Sequence, residues 1–225
     1  MYQHRDWQGA LLELPVSKVV CVGNNYAEHI KEMAGRRHKN GDDESAEPLV
    51  FIKPETALCD ILQPIAVPKE LGAVHHEIEL AVLIGSPLKQ ATEARVAEAI
   101  AGYGIALDLT LRELQAGFIK QGQPWERAKG FDGSCPMSGF ISVAELGDAQ
   151  QAELQLSVNG EVRQQGNTRD MLTPILPLIA FMSRFFTLRA GDIVITGTPQ
   201  GVGPLVAGDS IEVSLNGRKL NTRVI

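Results

Sequence analysis

The feature that most narrows the fold is a recurring short run of β-branched and other apolar residues closed by Gly, Pro or Asn. "KVVCVG", "LVFIKP", "EIELAVLIG", "GYGIALDLTL", "ELQLSVNGEV", "GDIVITGT" and "DSIEVSLNGRKLNTRVI" share this form, which is the punctuation of strands and turns. In "VNGE" (158–161) and "LNGRK" (215–219) an Asn-Gly pair stands between alternating residues, and such pairs favour tight hairpins because both residues tolerate positive φ. Helical spacing at i, i+3, i+4 is rarer: it occurs in "NNYAEHIKEMA" (24–34), "TEARVAEAIAG" (92–102), "LTLRELQAGFIK" (109–120) and "TPILPLIAFMSRFF" (173–186). These segments interrupt the strands irregularly instead of alternating with them. The pattern predicts a strand-dominated α+β fold, not a doubly wound parallel sheet. At 225 residues, one domain over 1–225 is expected.

Composition narrows the partners. With 44% hydrophobic and 21% charged residues the chain reads as a packed globular body. A net charge of −6, with no Lys/Arg-rich run, argues against nucleic acid and against an anionic membrane surface. "MYQHRDWQGA" lacks the apolar core of a targeting segment, and "MLTPILPLIAFM" is too short for a bilayer and carries two prolines. Cys21, Cys59 and Cys135 are far apart in apolar surroundings, which points to inert thiols in a reduced cytoplasmic protein. A small molecule is the expected partner.

"VHHEIELAVLIG" (74–85) reads as a strand that begins wet and ends buried, with two acids just before the dry part. Side chains at i and i+2 of a strand share a face, with Cα atoms about 6.6 Å apart, so Glu77 and Glu79 aim at one spot. Two unpaired carboxylates ~4 Å apart repel by about 4 kcal/mol at an effective dielectric near 20, a conflict that a shared proton or a divalent cation removes. From spacing alone, a solvent-facing strand carrying Glu by chance reads equally well. A third acid tips the balance: Asp108 lies inside the apolar run "GYGIALDLTL", where an uncompensated charge is expensive. An i, i+4 ion pair with Arg112 is its simpler explanation. All-oxygen ligation suits Mg²⁺, Mn²⁺ or Ca²⁺, whereas Zn²⁺ usually recruits imidazole or thiolate. His75 and His76 are read as supporting residues, not ligands.

Together the motifs resemble the fumarylacetoacetate hydrolase family, most closely its short single-domain acylpyruvate hydrolase and oxaloacetate decarboxylase members. The resemblance rests on "CVGNNYAEHIKEM", "FIKPETA", "HHEIELAVLIG", "ALDLTLRELQ", "GQPWERAKGFDGSCP", "VNGEVRQQGNT" and "GDIVITGTPQGVGP", in the family's order. It implies layered, rolled β-sheets, a Mg²⁺ or Mn²⁺ site and a homodimer. It further implies Glu77, Glu79 and Asp108 as metal ligands and Lys129 as an active-site lysine. Arg112 and Gln115 would line the pocket, and Lys53 and Thr198 would hold the substrate's carboxylate. Asn24 departs from a basic residue found at that position in several relatives.

In the first helix, with Asn24 or Asn25 as N-cap, Ala27, Ile30, Met33 and Ala34 form an apolar stripe. His29 and Glu32 fall off it as i, i+3 neighbours. A histidine oriented by a carboxylate is a general-base arrangement, and the family resemblance favours that reading over an exposed helical ion pair. The polar segment 35–48 behind the helix reads as a mobile lid. The expected chemistry is metal-dependent cleavage of a 3-acylpyruvate to pyruvate and a carboxylic acid. Oxaloacetate decarboxylation or keto–enol tautomerisation at the same site is the alternative. A Ca²⁺-stabilised, non-catalytic β-rich binding module is the reading from another class.

Overall fold

The computed structural model describes residues 2–34 and 47–225. In chain order the strands are β1 (Val19–Gly23), β2 (Leu49–Lys53), β3 (Leu58–Asp60), β4 (Val74–His76), β5 (Ile78–Ile84), β6 (Ile100–Leu107), β7 (Thr110–Leu111), β8 (Cys135–Met137), β9 (Ile141–Ser142), β10 (Glu153–Val158), β11 (Glu161–Asn167), β12 (Ile193–Ile195), β13 (Gly203–Leu205), β14 (Ser210–Leu215) and β15 (Arg218–Arg223). The helices are α1 (Ala27–Ala34), α2 (Glu93–Ala99), α3 (Arg112–Gln121), α4 (Glu126–Lys129), α5 (Val143–Leu146) and α6 (Ile175–Phe185).

Three sheets result. The largest runs β2-β1-β12-β5-β6-β8-β3, with β9 paired to β6; a second runs β11-β10-β14-β15, and a small one β13-β4-β7. The large sheet is mixed, with β1–β12 and β3–β8 parallel and its other pairs antiparallel. This is the strand-dominated α+β architecture that the residue pattern predicts. Both Asn-Gly hairpins form: Asn159 and Gly160 join β10 to β11 at φ 53° and 81°, and Asn216 and Gly217 join β14 to β15 at 48° and 77°. Positive φ at both central residues matches the turn to the strands' twist.

β5 is buried along its whole length, which explains why "IELAVLI" is apolar without alternation. Ile78, Leu80, Val82 and Ile84 enter the larger core with Leu154, Leu156 and Val213 of the second sheet and Ile179 of α6. Ala81 and Leu83 enter a smaller core with Val19, Cys21, Ile193 and Ile195, against which Leu12, Leu14 and Val16 pack. Each fully buried Leu or Ile contributes about 1.5–3 kcal/mol of transfer free energy, so the strand next to the acids is firmly seated.

The stretch 74–85 is not one strand. It breaks at Glu77, with β4 in the small sheet and β5 in the large one. The chain makes the reverse passage at Asp108–Leu109, between β6 of the large sheet and β7 of the small one. The two breaks lie side by side, with the Asp108 N–H donating to the Glu77 carbonyl at 2.8 Å. Acids from segments distant in sequence are thus brought together where the chain changes sheets.

α1 also differs from its pattern. It buries Tyr26, His29 and Met33 at its entrance and along one face, while Ala27 and Glu28 are exposed. Neither Asn24 nor Asn25 caps it. Asn24 takes the left-handed conformation at φ 63°, and the Tyr26 carbonyl accepts from Ile30 N–H at 3.1 Å. The Asn25 side chain instead fastens the start of the helix to two other segments, accepting from Thr173 N–H (2.8 Å) and donating to the Thr173 (3.0 Å) and Thr196 (2.9 Å) carbonyls. Three backbone groups satisfied in this way outweigh one cap bond. Of the segment read as a lid, residues 35–46 lie outside the described residues.

Candidate active site

Glu77, Glu79 and Asp108 converge, each offering one carboxylate oxygen within 4.8 Å of the others. All three are buried, at 4%, 1% and 1% exposure. Three buried cations face them. Arg112, at the start of α3, donates from Nη2 to Glu77 Oε1 and from Nη1 to Gln115 Oε1, the latter at 2.8 Å. Lys129, at the end of α4, donates from Nζ to Glu77 Oε2 at 2.9 Å and to Asp108 Oδ2 at 2.5 Å. Lys53 Nζ stands 2.8 Å from Asp108 Oδ1. That contact is an ion pair without hydrogen-bond alignment, so Oδ1 has no hydrogen-bond partner among the described residues. Arg112 therefore serves Glu77 and not Asp108, and the i, i+4 pairing allowed by sequence is not formed.

The charges perturb one another strongly. Burial disfavours ionisation of Glu77, but Lys129 and Arg112 outweigh it and hold the carboxyl well below its usual range. Glu79 is moved the other way: burial, then Asp108 and Glu77, push it well above the ordinary carboxylate value. Its Oε2 accepts a hydrogen bond from the Gly197 N–H at 2.6 Å. Burial opposes the Lys129 charge too, yet Asp108 and Glu77 raise its pKa. Two carboxylates in one buried place thus have opposite protonation tendencies, a mark of functional sites.

The donor set fits a hard divalent cation. It comprises three carboxylates with no imidazole or thiolate, one of them with an unsatisfied buried oxygen, and one whose charged form lacks a sufficient counter-charge. His76 is turned away, its Nδ1 bonding to Gln164 Oε1 at 2.9 Å.

His29 lies beside this cluster in a cleft that Glu77, Glu79, Arg112, Gln115, Lys129 and Thr198 line on the polar side. Val22, Met33, Phe51 and Trp125 form its apolar side, and Asn24 stands at its margin. Phe51 and Trp125 pack with ring centroids 5.9 Å apart, and Lys129 Nζ is 5.2 Å from the Phe51 centroid. His29 Nδ1 faces Glu32 Oε2 at 3.4 Å. The Glu32 carboxylate also accepts from Gly201 N–H at 3.1 and 3.2 Å, which ties α1 to the 197–201 turn. Burial lowers the His29 pKa, against smaller opposing effects of Glu77 and Glu32, so the imidazole is neutral at neutral pH. A larger hollow of ≈690 Å³ lies against α2 and α6, but it gathers no comparable set of groups. The converging ionisable groups lie at the smaller cleft.

Most of the site residues read from sequence come together here, and two do so in different roles. Lys53 is wholly buried and does not line the cleft; besides the Asp108 contact, its Nζ donates to the Lys129 carbonyl, the Ser134 carbonyl (2.9 Å) and Ser134 Oγ (3.1 Å). A lysine so fully engaged positions Asp108 and the 129–134 segment and cannot reach a substrate carboxylate. Thr198 does line the cleft, but its hydroxyl already donates to the Ile78 carbonyl at 2.8 Å and accepts from Gln164 Nε2 at 2.8 Å. Sequence reasoning does not find Gln164 or the Gly197 N–H, and it reads Asn25 only as a possible helix cap. Each acts through backbone groups that leave no spacing signature.

The family model described as "Fumarylacetoacetate (FAA) hydrolase C-terminal" matches residues 18–225. The chain belongs to the fumarylacetoacetate hydrolase family. Within it, the chain is 64% identical to oxaloacetate tautomerase YcgM of Escherichia coli (strain K12), over 100% of both chains. It is 40% identical to the mitochondrial oxaloacetate tautomerase FAHD1 of Homo sapiens, covering 88% of this chain and 87% of that one. Among solved structures, fumarylpyruvate hydrolase from Pseudomonas aeruginosa in complex with Mn²⁺ and pyruvate superposes with a TM-score of 0.90 at 33% identity, covering 100% of this chain and 95% of the other. The fold is therefore that of the family's enzymes, and this chain is an enzyme of that family.

Proposed function

We propose that this chain is a divalent-metal-dependent enzyme acting on 2-oxo acids, and that its reaction is keto–enol tautomerisation of oxaloacetate. The observation that carries the reading is a carboxylate-backed His29 lining one cleft with Glu77 and Glu79 of the acidic triad, in a chain that aligns end to end with an oxaloacetate tautomerase. Glu77, Glu79 and Asp108 would hold Mg²⁺ or Mn²⁺, with Ca²⁺ as a weaker candidate. When bound, such an ion supplies positive charge to the oxygens of a 2-oxo acid as its C3 proton leaves.

Charge selects the substrate class. The buried acids Glu77, Glu79 and Asp108 are formally balanced by Lys53, Arg112 and Lys129. A divalent ion would add two positive charges to that balance, which favours an anionic 2-oxo acid such as oxaloacetate. His29 takes the C3 proton of the keto form and the proton is delivered to the C2 oxygen, giving the enol, the reverse direction running the same transfer backwards, while Glu32 fixes its orientation and stabilises the transient imidazolium. Arg112, positioned by Gln115, and Lys129 add positive charge beside the reacting oxygens. Arg112 lines the cleft, where its guanidinium would face a substrate carboxylate. Lys53 keeps Asp108 in place.

A second reading, hydrolysis of a 3-acylpyruvate, is favoured by the similarity to fumarylpyruvate hydrolase, and the apolar wall of Phe51 and Trp125 would pack against the hydrocarbon part of the acyl group. There His29 would activate water in place of C3. We also assign the chain to the cytoplasm as a single catalytic domain working as a homodimer. No described helix is long and apolar enough to cross a membrane, and all three cysteines are free, as in a reduced compartment. Burial first, with Asp60 second, pushes the Cys59 thiol up to about 11, and burial raises Cys21 and Cys135 further, so none is poised to react. Following the loss of the oxaloacetate enol's ultraviolet absorbance, with NMR identification of products, tests the reading. Interconversion accelerated by Mg²⁺, abolished by chelation and free of pyruvate supports it. Pyruvate release from acetylpyruvate without any enol exchange would establish the second reading instead.

A further inference from the structure

β11 carries a side chain that reaches the acidic pair from a different sheet. The β10–β11 register shifts so that Ser157 pairs with Val162 and Leu156 with Gln164, leaving Arg163 as an extra residue. Bulges of this kind re-aim neighbouring side chains. Gln164 is fully buried. The 199–201 turn sits so closely on the bulge that a Cβ on Gly201 would collide with the Arg163 carbonyl oxygen, and Gly201 itself stands at φ 96°, a conformation that favours glycine.

All four hydrogen-bonding positions of the Gln164 amide are used. Oε1 accepts from Ile78 N–H at 3.0 Å and from His76 Nδ1 at 2.9 Å. Nε2 donates to Thr198 Oγ1 and to the Pro199 carbonyl, both at 2.8 Å. The backbone partners fix the amide's orientation, because an N–H only donates and a carbonyl only accepts. The remaining protons follow: His76 carries one on Nδ1, and the Thr198 hydroxyl turns its own toward the Ile78 carbonyl, 2.8 Å away.

Ile78 is the residue between Glu77 and Glu79. β12 ends at Ile195, paired with Ala81, and the next contact along β5 is Thr196 N–H to the Leu80 carbonyl at 3.2 Å. Past that point β12 no longer runs beside β5, and the Gln164 and Thr198 side chains take the Ile78 N–H and C=O in a strand's place. On the β6 side the Asp108 N–H holds the Glu77 carbonyl.

We propose that Gln164 is a positioning residue of the metal centre: by gripping the Ile78 backbone and the Thr198 hydroxyl, it sets the separation and direction of the Glu77 and Glu79 carboxylates. The inference rests on the reading of the triad as a cation site. Changing groups that orient metal ligands without touching the ion typically costs about 10–100-fold in metal affinity.

The test is Mn²⁺ titration of the metal-free full-length protein by calorimetry, alongside its thermal midpoint. Gln164→Met keeps length and burial but makes none of the four bonds. Gln164→Glu keeps the two acceptor contacts and loses the two donors. Leu156→Ala, opposite on β10, weakens the same sheet and the core it shares with Ile78 but removes no hydrogen bond to the Ile78 backbone. Expected is a Mn²⁺ dissociation constant raised about 10- to 100-fold in Gln164→Met, by less in Gln164→Glu, and unchanged in Leu156→Ala despite its lower midpoint. Should Gln164→Met not fold, Gln164→Glu and Thr198→Val carry the same readout. Affinities within about twofold of the parent in the folded Gln164 variants, or an equal loss in Leu156→Ala, would overturn the inference and reduce Gln164 to a core residue. A parent protein that binds no Mn²⁺ would instead overturn the cation reading beneath it.

Discussion

Replacing Lys129 by Met should destabilise the metal-free protein and at the same time tighten its grip on a divalent cation. Lys129 is 3% exposed and bridges Glu77 Oε2 and Asp108 Oδ2 at 2.9 and 2.5 Å. Removing one partner of a buried ion pair leaves an uncompensated charge and costs about 3–5 kcal/mol. For a chain of this size, that is a fall of roughly 6–20 °C in thermal midpoint, at about 2–4 °C per kcal/mol. A divalent ion between the same carboxylates restores the missing charge, so most of the penalty should vanish in saturating Mn²⁺. If about 3 kcal/mol is recovered, linkage requires Mn²⁺ to bind roughly 100-fold more tightly to Lys129→Met than to the parent. Differential scanning fluorimetry with and without Mn²⁺, and calorimetric titration of both proteins, measure the two sides of that cycle. A variant as stable as the parent without metal, or one that binds Mn²⁺ more weakly, would show that Lys129 does not stand in for a cation between Glu77 and Asp108.

His29→Ala should keep the fold and lower enol exchange by about 10²–10⁴-fold, as loss of a general base does. It should equally abolish any acylpyruvate cleavage while sparing much of any oxaloacetate decarboxylation, which needs no water-activating base; product ratios by NMR decide, and equal loss of all three would show His29 misassigned. Because burial lowers the His29 pKa below its ordinary 6.5, the neutral base persists to lower pH, and kcat should fall only as pH drops through that depressed value. Stability has the related sign: His4, His29 and His76 are all lowered, burial being the main cause, so the unfolded chain takes up protons first. Their contribution is intact above about pH 6.5 and declines below it, as urea melts across that range would show. Asn25→Ala strands three backbone groups around α1, and should cost about 1–3 kcal/mol in chemical denaturation.

Much of the site is legible in the sequence because its acids obey simple rules. The i, i+2 parity of Glu77 and Glu79 and the cost of an acid at Asp108 inside an apolar run need only a strand and a dielectric argument. The Asn-Gly hairpins are similarly local. The break at Glu77 is hidden, because a chain passing from one sheet to another keeps extended geometry and apolar composition on both sides. The buried face of α1 departs from its apolar stripe for a related reason: His29 is drawn inward by the cleft, while Ala27 buries too little area to compete. Lys53 has the composition of a substrate-binding cation, and only the Lys129 and Ser134 carbonyls around it reveal a structural one. Gln164 and Gln165 are indistinguishable in "RQQGN"; the bulge at Arg163 alone decides which of them turns inward.

In the proposed site Glu77 and Asp108, at two neighbouring strand breaks, and Glu79, within β5, hold one hard cation. Anomalous diffraction from crystals of this protein grown with Mn²⁺ tests that grip. Expected is a single strong manganese peak bonded to Glu77, Glu79 and Asp108, with Lys129 displaced from at least one of its two carboxylate contacts. Manganese bound elsewhere, with Lys129 still bridging Glu77 and Asp108, would contradict it.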